Sequence, residues 1–276
     1  MPRPGSRAGR RAPPIEYRTL ALRCPVCHAE INAEVPDSVS PHARETDLRP
    51  LFASLDPLPW FIHACPSCRY TAYREGYEGR RMDWDEVESQ VPLKVGDRPP
   101  PGRFLPDELE LDDLRRWLRR GELVRGVTEG CEPFGAERYV LGARCYEFLR
   151  DSDGLGIADY YLRASWCARA GGDLELERAC QREAVNRLQG PQEAGRVPEP
   201  EKVRVLYLIA ELSRRSGAFG QAVNAFSQLE SMVDVDDAEG ALFAHLAKRQ
   251  LSLAVVKSDI NAVIAEDEIG LEREDE

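Results

Sequence analysis

Residues 22–35 read LRCPVCHAEINAEV and residues 60–73 read WFIHACPSCRYTAY. Each stretch holds a Cys-Pro-x-Cys unit, Cys24 with Cys27 and Cys65 with Cys68, set beside residues of strand type. Two residues between paired cysteines allow a tight turn that aims both sulfurs at one ion, and two such turns complete a tetrahedral shell. Proline at the second position restrains φ and stiffens the turn. Residues 29–35 after the first unit, and 60–64 and 69–73 around the second, have the β-branched and aromatic content of strands. The pattern predicts a zinc-ribbon-like module with two knuckles facing each other across a small sheet. A lone C-x-x-C also marks thioredoxin-like redox sites, but a matched second copy favours metal. The expectation is one structural zinc per chain on Cys24, Cys27, Cys65 and Cys68, with iron as the competing ion. Four thiolates leave no open coordination position, so such a zinc is not expected to activate water.

His28 and His63 lie near these cysteines but are surplus to a filled shell. His42 and His245 have no partners in sequence and read as surface or packing residues. Cys131, Cys145, Cys167 and Cys180 lack C-x-x-C spacing. The last three fall in predicted helices, where buried free thiols are common.

Beyond the cysteine module, residues 92–106 (PLKVGDRPPPGRFLP) form a Pro/Gly-rich linker. A helical pattern then begins at Pro106 and Asp107, acidic first and arginine-rich last, and stops at Gly121. Six more helices are predicted over 136–150, 155–170, 173–189, 200–216, 219–233 and 237–257, with short connections that force antiparallel neighbours. Residues 203–229 match the tetratricopeptide pattern: Ala210 at a close crossing, Gly217 in the turn, then Ala222, Phe226 and Leu229. The pair over 158–189 is a weaker copy, with Gly172, Asp173 and Leu174 at the equivalent turn and Ala184 beyond. It departs at Glu177, which stands where a small residue is expected. Projecting the stronger unit puts Arg204, Tyr207, Glu211 and Arg214 on the inner face, where repeats of this kind hold peptides. A plain solvated helix face is the competing reading.

The fold class that follows is α+β and mostly α, a small β zinc-ribbon-like module followed by a tetratricopeptide-like antiparallel helical repeat domain. The units are a basic head at 1–16, the four-cysteine module at 17–91, the linker at 92–106, the helical domain at 107–258 and an acidic tail at 259–276. A chain of 276 residues with 42% hydrophobic and 31% charged residues suits about two domains with long solvated helix faces. The net charge of -11 argues against a general nucleic-acid binder. The head carries Arg3, Arg7, Arg10 and Arg11, and the tail is dominated by Asp and Glu. Both ends read as solvated segments, and residues 1–16 and 265–276 as not needed for folding. No apolar run approaches the ~18 residues that span a bilayer, and the N-terminus lacks the apolar stretch of a secretory signal. A cytoplasmic location is expected, which further favours metal over disulfides.

These features resemble a bacterial family, domain of unknown function 2225. The likeness is carried by CPVC at 24–27, the stretch from Arg44 through Asp47 and Pro57 to Trp60, and ACPSCRYTAY at 64–73. It continues in YVLGARCYEFL at 139–149, ASWCARAGGDLELERACQREA at 164–184 and the tetratricopeptide-like unit. It spans roughly residues 20–235 and departs at Arg69, where the family favours Gly. The resemblance implies architecture and no activity. No P-loop, G-x-S-x-G or H-E-x-x-H is present, so no enzyme is expected. The favoured reading is a non-enzymatic zinc-binding scaffold for a protein or peptide partner. The alternative is a nucleic-acid-associated regulator using the ribbon and the basic head.

Overall fold

A computed structural model describes residues 16–37, 39–53, 55–78, 108–120, 134–233 and 238–264. The Pro-rich linker, Cys131 and nearly all of the basic head lie outside them, as does the tail beyond residue 264. The four-cysteine module begins with β1 (Tyr17–Arg23) and β2 (Glu30–Pro36), an antiparallel pair whose turn is the first C-x-x-C unit. β2 alternates cleanly: Ile31, Ala33 and Val35 are buried, while Glu30, Asn32 and Glu34 face water. β5 (Ile62–Ala64) and β6 (Thr71–Tyr73) form a second hairpin around the second unit. The expected single sheet is therefore two separate two-stranded sheets, and the knuckles meet through their sulfurs. Between the hairpins, β3 (Pro41–Glu45) pairs with β4 (Pro50–Phe52) and, on its other edge, with β7 (Val263–Ile264). A short helix, α1 (Arg74–Glu78), follows β6.

The remaining described elements are helices: α2 (Glu108–Arg120), α3 (Ala136–Arg150), α4 (Gly154–Ala170), α5 (Leu174–Glu193), α6 (Lys202–Arg215), α7 (Phe219–Glu230) and α8 (Ala238–Val255). From α3 to α8 each packs on the next, as short connections require. The turns after α4 and α6 close identically. Gly172 N–H donates to Arg169 O and Asp173 N–H to Ala168 O; Gly217 N–H donates to Arg214 O and Ala218 N–H to Ser213 O. Gly172 and Gly217 both take positive φ, 77° and 89°, in this Schellman arrangement. Ala210, Ala222, Phe226 and Leu229 are fully buried where α6 and α7 pack together. α5 runs past its expected end at 189. Pro191 lies inside its last turn, where it leaves Arg187 O without its intrahelical donor. A Cβ on Gly154 would come within 2.6 Å of that carbonyl and 2.9 Å of Pro191 Cγ, so only glycine lets α4 start this close to α5.

The β module and the helices share their interior. Leu48, Leu58 and Ile62 enter the large apolar cluster of α3–α8, and Tyr139 OH on α3 donates to Leu58 O at 2.8 Å. A second cluster joins Leu22, Val26, Ile31 and Tyr70 of the module to Leu114 and Leu118 of α2 and Leu141, Cys145 and Leu149 of α3. α3 thus feeds both clusters, one from each side. The segment after α8 also differs from the expected solvated tail: residues 258–264 pack back onto β3 and the helices, and Ile264 is buried.

Candidate metal centre

The two knuckles have the same backbone. In the first, Cys24 N–H donates to Ala29 O and His28 N–H to Cys24 O, both at 2.9 Å. In the second, Cys65 N–H donates to Tyr70 O at 2.8 Å and Arg69 N–H to Cys65 O at 2.9 Å. The residue after each second cysteine is left-handed, with φ 64° at His28 and 65° at Arg69. Arg69 therefore keeps the knuckle geometry at a backbone cost of about 1–2 kcal/mol. His28→Gly and Arg69→Gly are each expected to stabilise the protein by about 0.5–1 kcal/mol, because part of the relief is offset by the extra freedom of unfolded glycine. Denaturant melts check this, and a loss of stability in both variants would contradict it.

The sulfurs of Cys24 and Cys68 lie 3.6 Å apart, those of Cys27 and Cys65 3.5 Å apart, and all four within 4.8 Å of one another. A tetrahedral shell with zinc–sulfur bonds near 2.3 Å has sulfur–sulfur edges of about 3.8 Å, so the four side chains fit a metal ion with little adjustment. Cys24 and Cys65 are fully buried, Cys68 is half-buried and Cys27 exposed. The hydrogen bond shared with Cys68 brings the Cys24 pKa down to about 5, against the opposing effect of burial. The same hydrogen bond pushes Cys68 up, with burial adding to the rise. Thiol ligands must lose their protons as a cation binds.

The surroundings hold the knuckles rather than open them. Tyr77 OH on α1 reaches both His63 O at 2.8 Å and Tyr70 O at 2.7 Å. Arg115 Nε on α2 donates to Val26 O at 2.9 Å, inside the first knuckle. His28 is exposed, and neither it nor His63 joins the sulfur group. Burial pushes the His63 pKa down to about 4, helped by Arg138 and Arg74, so the ring is neutral in a buried site. Cys145 and Cys180 are buried thiols whose pKa burial raises to about 12, and burial raises Cys167 too. Such thiols are poor nucleophiles.

The expected inner-face residues are not a surface. Tyr207, Glu211 and Arg214 are fully buried, and Arg204 is mostly covered and paired with Glu239 and Glu201. The reason is that the face is already occupied by the chain. The β3–β4 turn inserts against it: Tyr207 OH donates to Thr46 O at 2.7 Å, and Thr46 Oγ1 donates to Glu211 at 2.6 Å. Leu48 holds a left-handed φ of 67° at the tip and is buried in the large cluster.

Around this turn lies a charge network that sequence reading missed. Arg169, at the position in α4 that Arg214 holds in α6, grips Asp47 and Glu45 and donates to Glu177 at 2.8 Å. Arg215 and Gln181 donate to the same Glu177 oxygen at 2.8 and 3.0 Å. Burial alone would raise the Asp47 pKa, but Arg169 outweighs it and holds the carboxyl below its ordinary range. Glu45 goes the other way, raised by burial and then by neighbouring Asp47. Glu177 breaks the small-residue pattern of the repeat because it is the acceptor at which three donors converge. That break was the available signal.

No helix of the described residues is long and apolar enough to cross a membrane. No curated protein and no solved structure matches the chain. Residues 18–103 and 125–251 match the family described as "Uncharacterized protein conserved in bacteria (DUF2225)", a span that takes in both knuckles, the β3–β4 turn and α3 to α7. The chain belongs to that family.

Proposed function

We propose that the protein is a non-enzymatic, cytoplasmic scaffold in which one structural zinc stabilises the N-terminal module and the helical layer receives a protein partner. The observation that carries the reading is the sulfur tetrahedron itself. Its four ligands fill the shell, and two of them are buried in the cluster shared with α2 and α3. An ion held there has no position left for substrate or water, so its contribution is to folding. The partner half of the reading is supported by what the helical layer does within the chain. Its inner face holds two extended stretches through buried polar groups, the task for which helical-repeat surfaces are used.

Elemental analysis of natively purified protein is expected to give one zinc per chain. Protein without metal, or with iron in its place, would overturn the zinc assignment. For the partner, cross-linking in the native host followed by site mapping is expected to place cross-links on residues 154–255. Cross-links confined to residues 1–16 and to nucleic acid would support the regulator instead.

A further inference from the structure

The segment that follows α8 is read by the rest of the protein largely through its backbone. Arg214 Nη1 donates to Ser258 O at 2.7 Å and Nη2 to Ile260 O at 3.1 Å. Thr46 N–H donates to Ala262 O at 2.9 Å, and Val263 and Ile264 pair antiparallel with Glu45 and Arg44. Three side chains add selection: Asp259 pairs with Arg178 at 2.6 Å, Asn261 Nδ2 donates to Glu45, and Ile264 is buried in the large cluster. Main-chain bonds for affinity and spaced side chains for choice are how a sheet edge and groove take an extended peptide.

The occupant is imperfectly matched to its site. Ser258 Oγ and Asn261 Oδ1 are buried with no partner among the described residues, a cost that a better-matched segment escapes. Ile260 and Val263 spend large apolar side chains on solvent, as do Val255 and Val256 just before them. The docked path also requires Lys257 to hold a left-handed φ of 55°, which a residue with a Cβ resists.

We propose that residues 258–264 are a tethered occupant of a peptide groove and that an extended segment of a partner protein replaces them. The groove is floored by Arg214, Thr46 and Arg178 and edged by β3. The segment it selects carries an acidic residue, an amide side chain two positions later and an aliphatic residue three beyond that, copying Asp259, Asn261 and Ile264. This deepens the scaffold reading and rests on it: the groove is where the partner enters, and residues 258–264 set how readily.

The test uses the full chain. Ile264→Asp removes the one buried apolar anchor of the segment. A labelled peptide of residues 256–268 (VKSDINAVIAEDE) is expected to bind this variant at least 10-fold more tightly than the wild-type chain. The same peptide carrying Asp in place of Ile264 is expected to lose that binding. Equal binding to both chains, or none to a variant that keeps its helical circular dichroism, overturns the proposal. Wild-type dimers in light scattering that dissociate on adding peptide overturn it in favour of segments exchanged between copies. If Ile264→Asp does not fold, native-state hydrogen exchange of the wild type decides. Amides of 258–264 exchanging at least 10-fold faster than those of α6 support a displaceable segment, and equal protection overturns it. Peptide capture without partner cross-links in the host would sink the scaffold reading alone. Partner cross-links on the helices with a groove that takes no peptide would sink this proposal alone.

Discussion

Cys65→Ser is expected to abolish metal binding and lower Tm by about 10 °C or more, taking α2 down together with the hairpins. Structural zinc sites can contribute an apparent ~10–16 kcal/mol to folding, and a loss of even ~4 kcal/mol moves Tm by about 10 °C in a chain of this size. Cys65 is fully buried in the cluster that also contains Leu114 and Leu118 of α2 and Leu141 and Leu149 of α3. Burying each such leucine is worth about 1.5–3 kcal/mol, and that worth depends on the knuckles staying in place. Arg115 makes the same dependence polar, since its acceptor is a knuckle carbonyl. Hydrogen exchange should therefore show lost protection over residues 17–78 and 108–120, with α5 to α7 retaining the most. Cys145→Ser is the control: it alters a buried thiol outside the sulfur group and is expected to keep its zinc with a small loss of stability. A Cys65→Ser protein that melts like the wild type, or still carries zinc, would refute the role assigned to the metal.

Arg214→Glu is expected to be at least as damaging, and through a different mechanism. The side chain is fully buried and makes two bonds to Glu211, at 2.8 Å from Nε and 2.7 Å from Nη2, besides its bonds to the backbone of the C-terminal segment. Removing one partner of a buried ion pair costs about 3–5 kcal/mol, because the other charge stays behind uncompensated. A glutamate there adds a second buried anion beside Glu211. Combining it with Tyr207→Ala, which adds about 3–5 kcal/mol of cavity cost, should prevent folding at ordinary temperatures. Replacing the pair together, Glu211→Leu with Arg214→Met, is expected to recover much of the loss, since the two sites are coupled. Soluble yield and thermal melts of the three variants decide it. An Arg214→Glu protein melting within a few degrees of wild type would return this residue to the surface.

The contrast between these sites shows what kind of information a sequence carries. The knuckles were legible because their chemistry is local: two turns, each specified within a few residues, leave little choice for the sulfurs. Helix α3 was legible at both ends, Ala136 and Arg150, because periodicity and turn residues agree there. The inner face was half legible. Periodicity grouped Tyr207, Glu211 and Arg214 on one side of α6, but their type was read as a surface for a separate partner. It had no means of saying that the chain itself covers that side, because Thr46 lies 165 positions from Glu211. Charged residues on a helix face ordinarily mean water, and only a partner supplied by tertiary structure reverses that inference. The helix expected to end at 189 runs on through Pro191 to Glu193; a proline ends a helix by default, and this one packs closely against the start of α4 at Gly154.

The pairing of β3 with the C-terminal segment also has a consequence in time. Asn261 and Glu45 are 216 positions apart, so on a ribosome adding ~5–20 residues per second the β3 strand emerges about 10–40 s before its last neighbour. The floor residue Arg214 precedes Ser258 by 44 positions, so for the last ~2–9 s of that interval the floor has been made while the tether that will close it has not. The nascent chain passes through an open state that the finished protein must reopen to recover. A partner synthesised nearby would meet it first in that form.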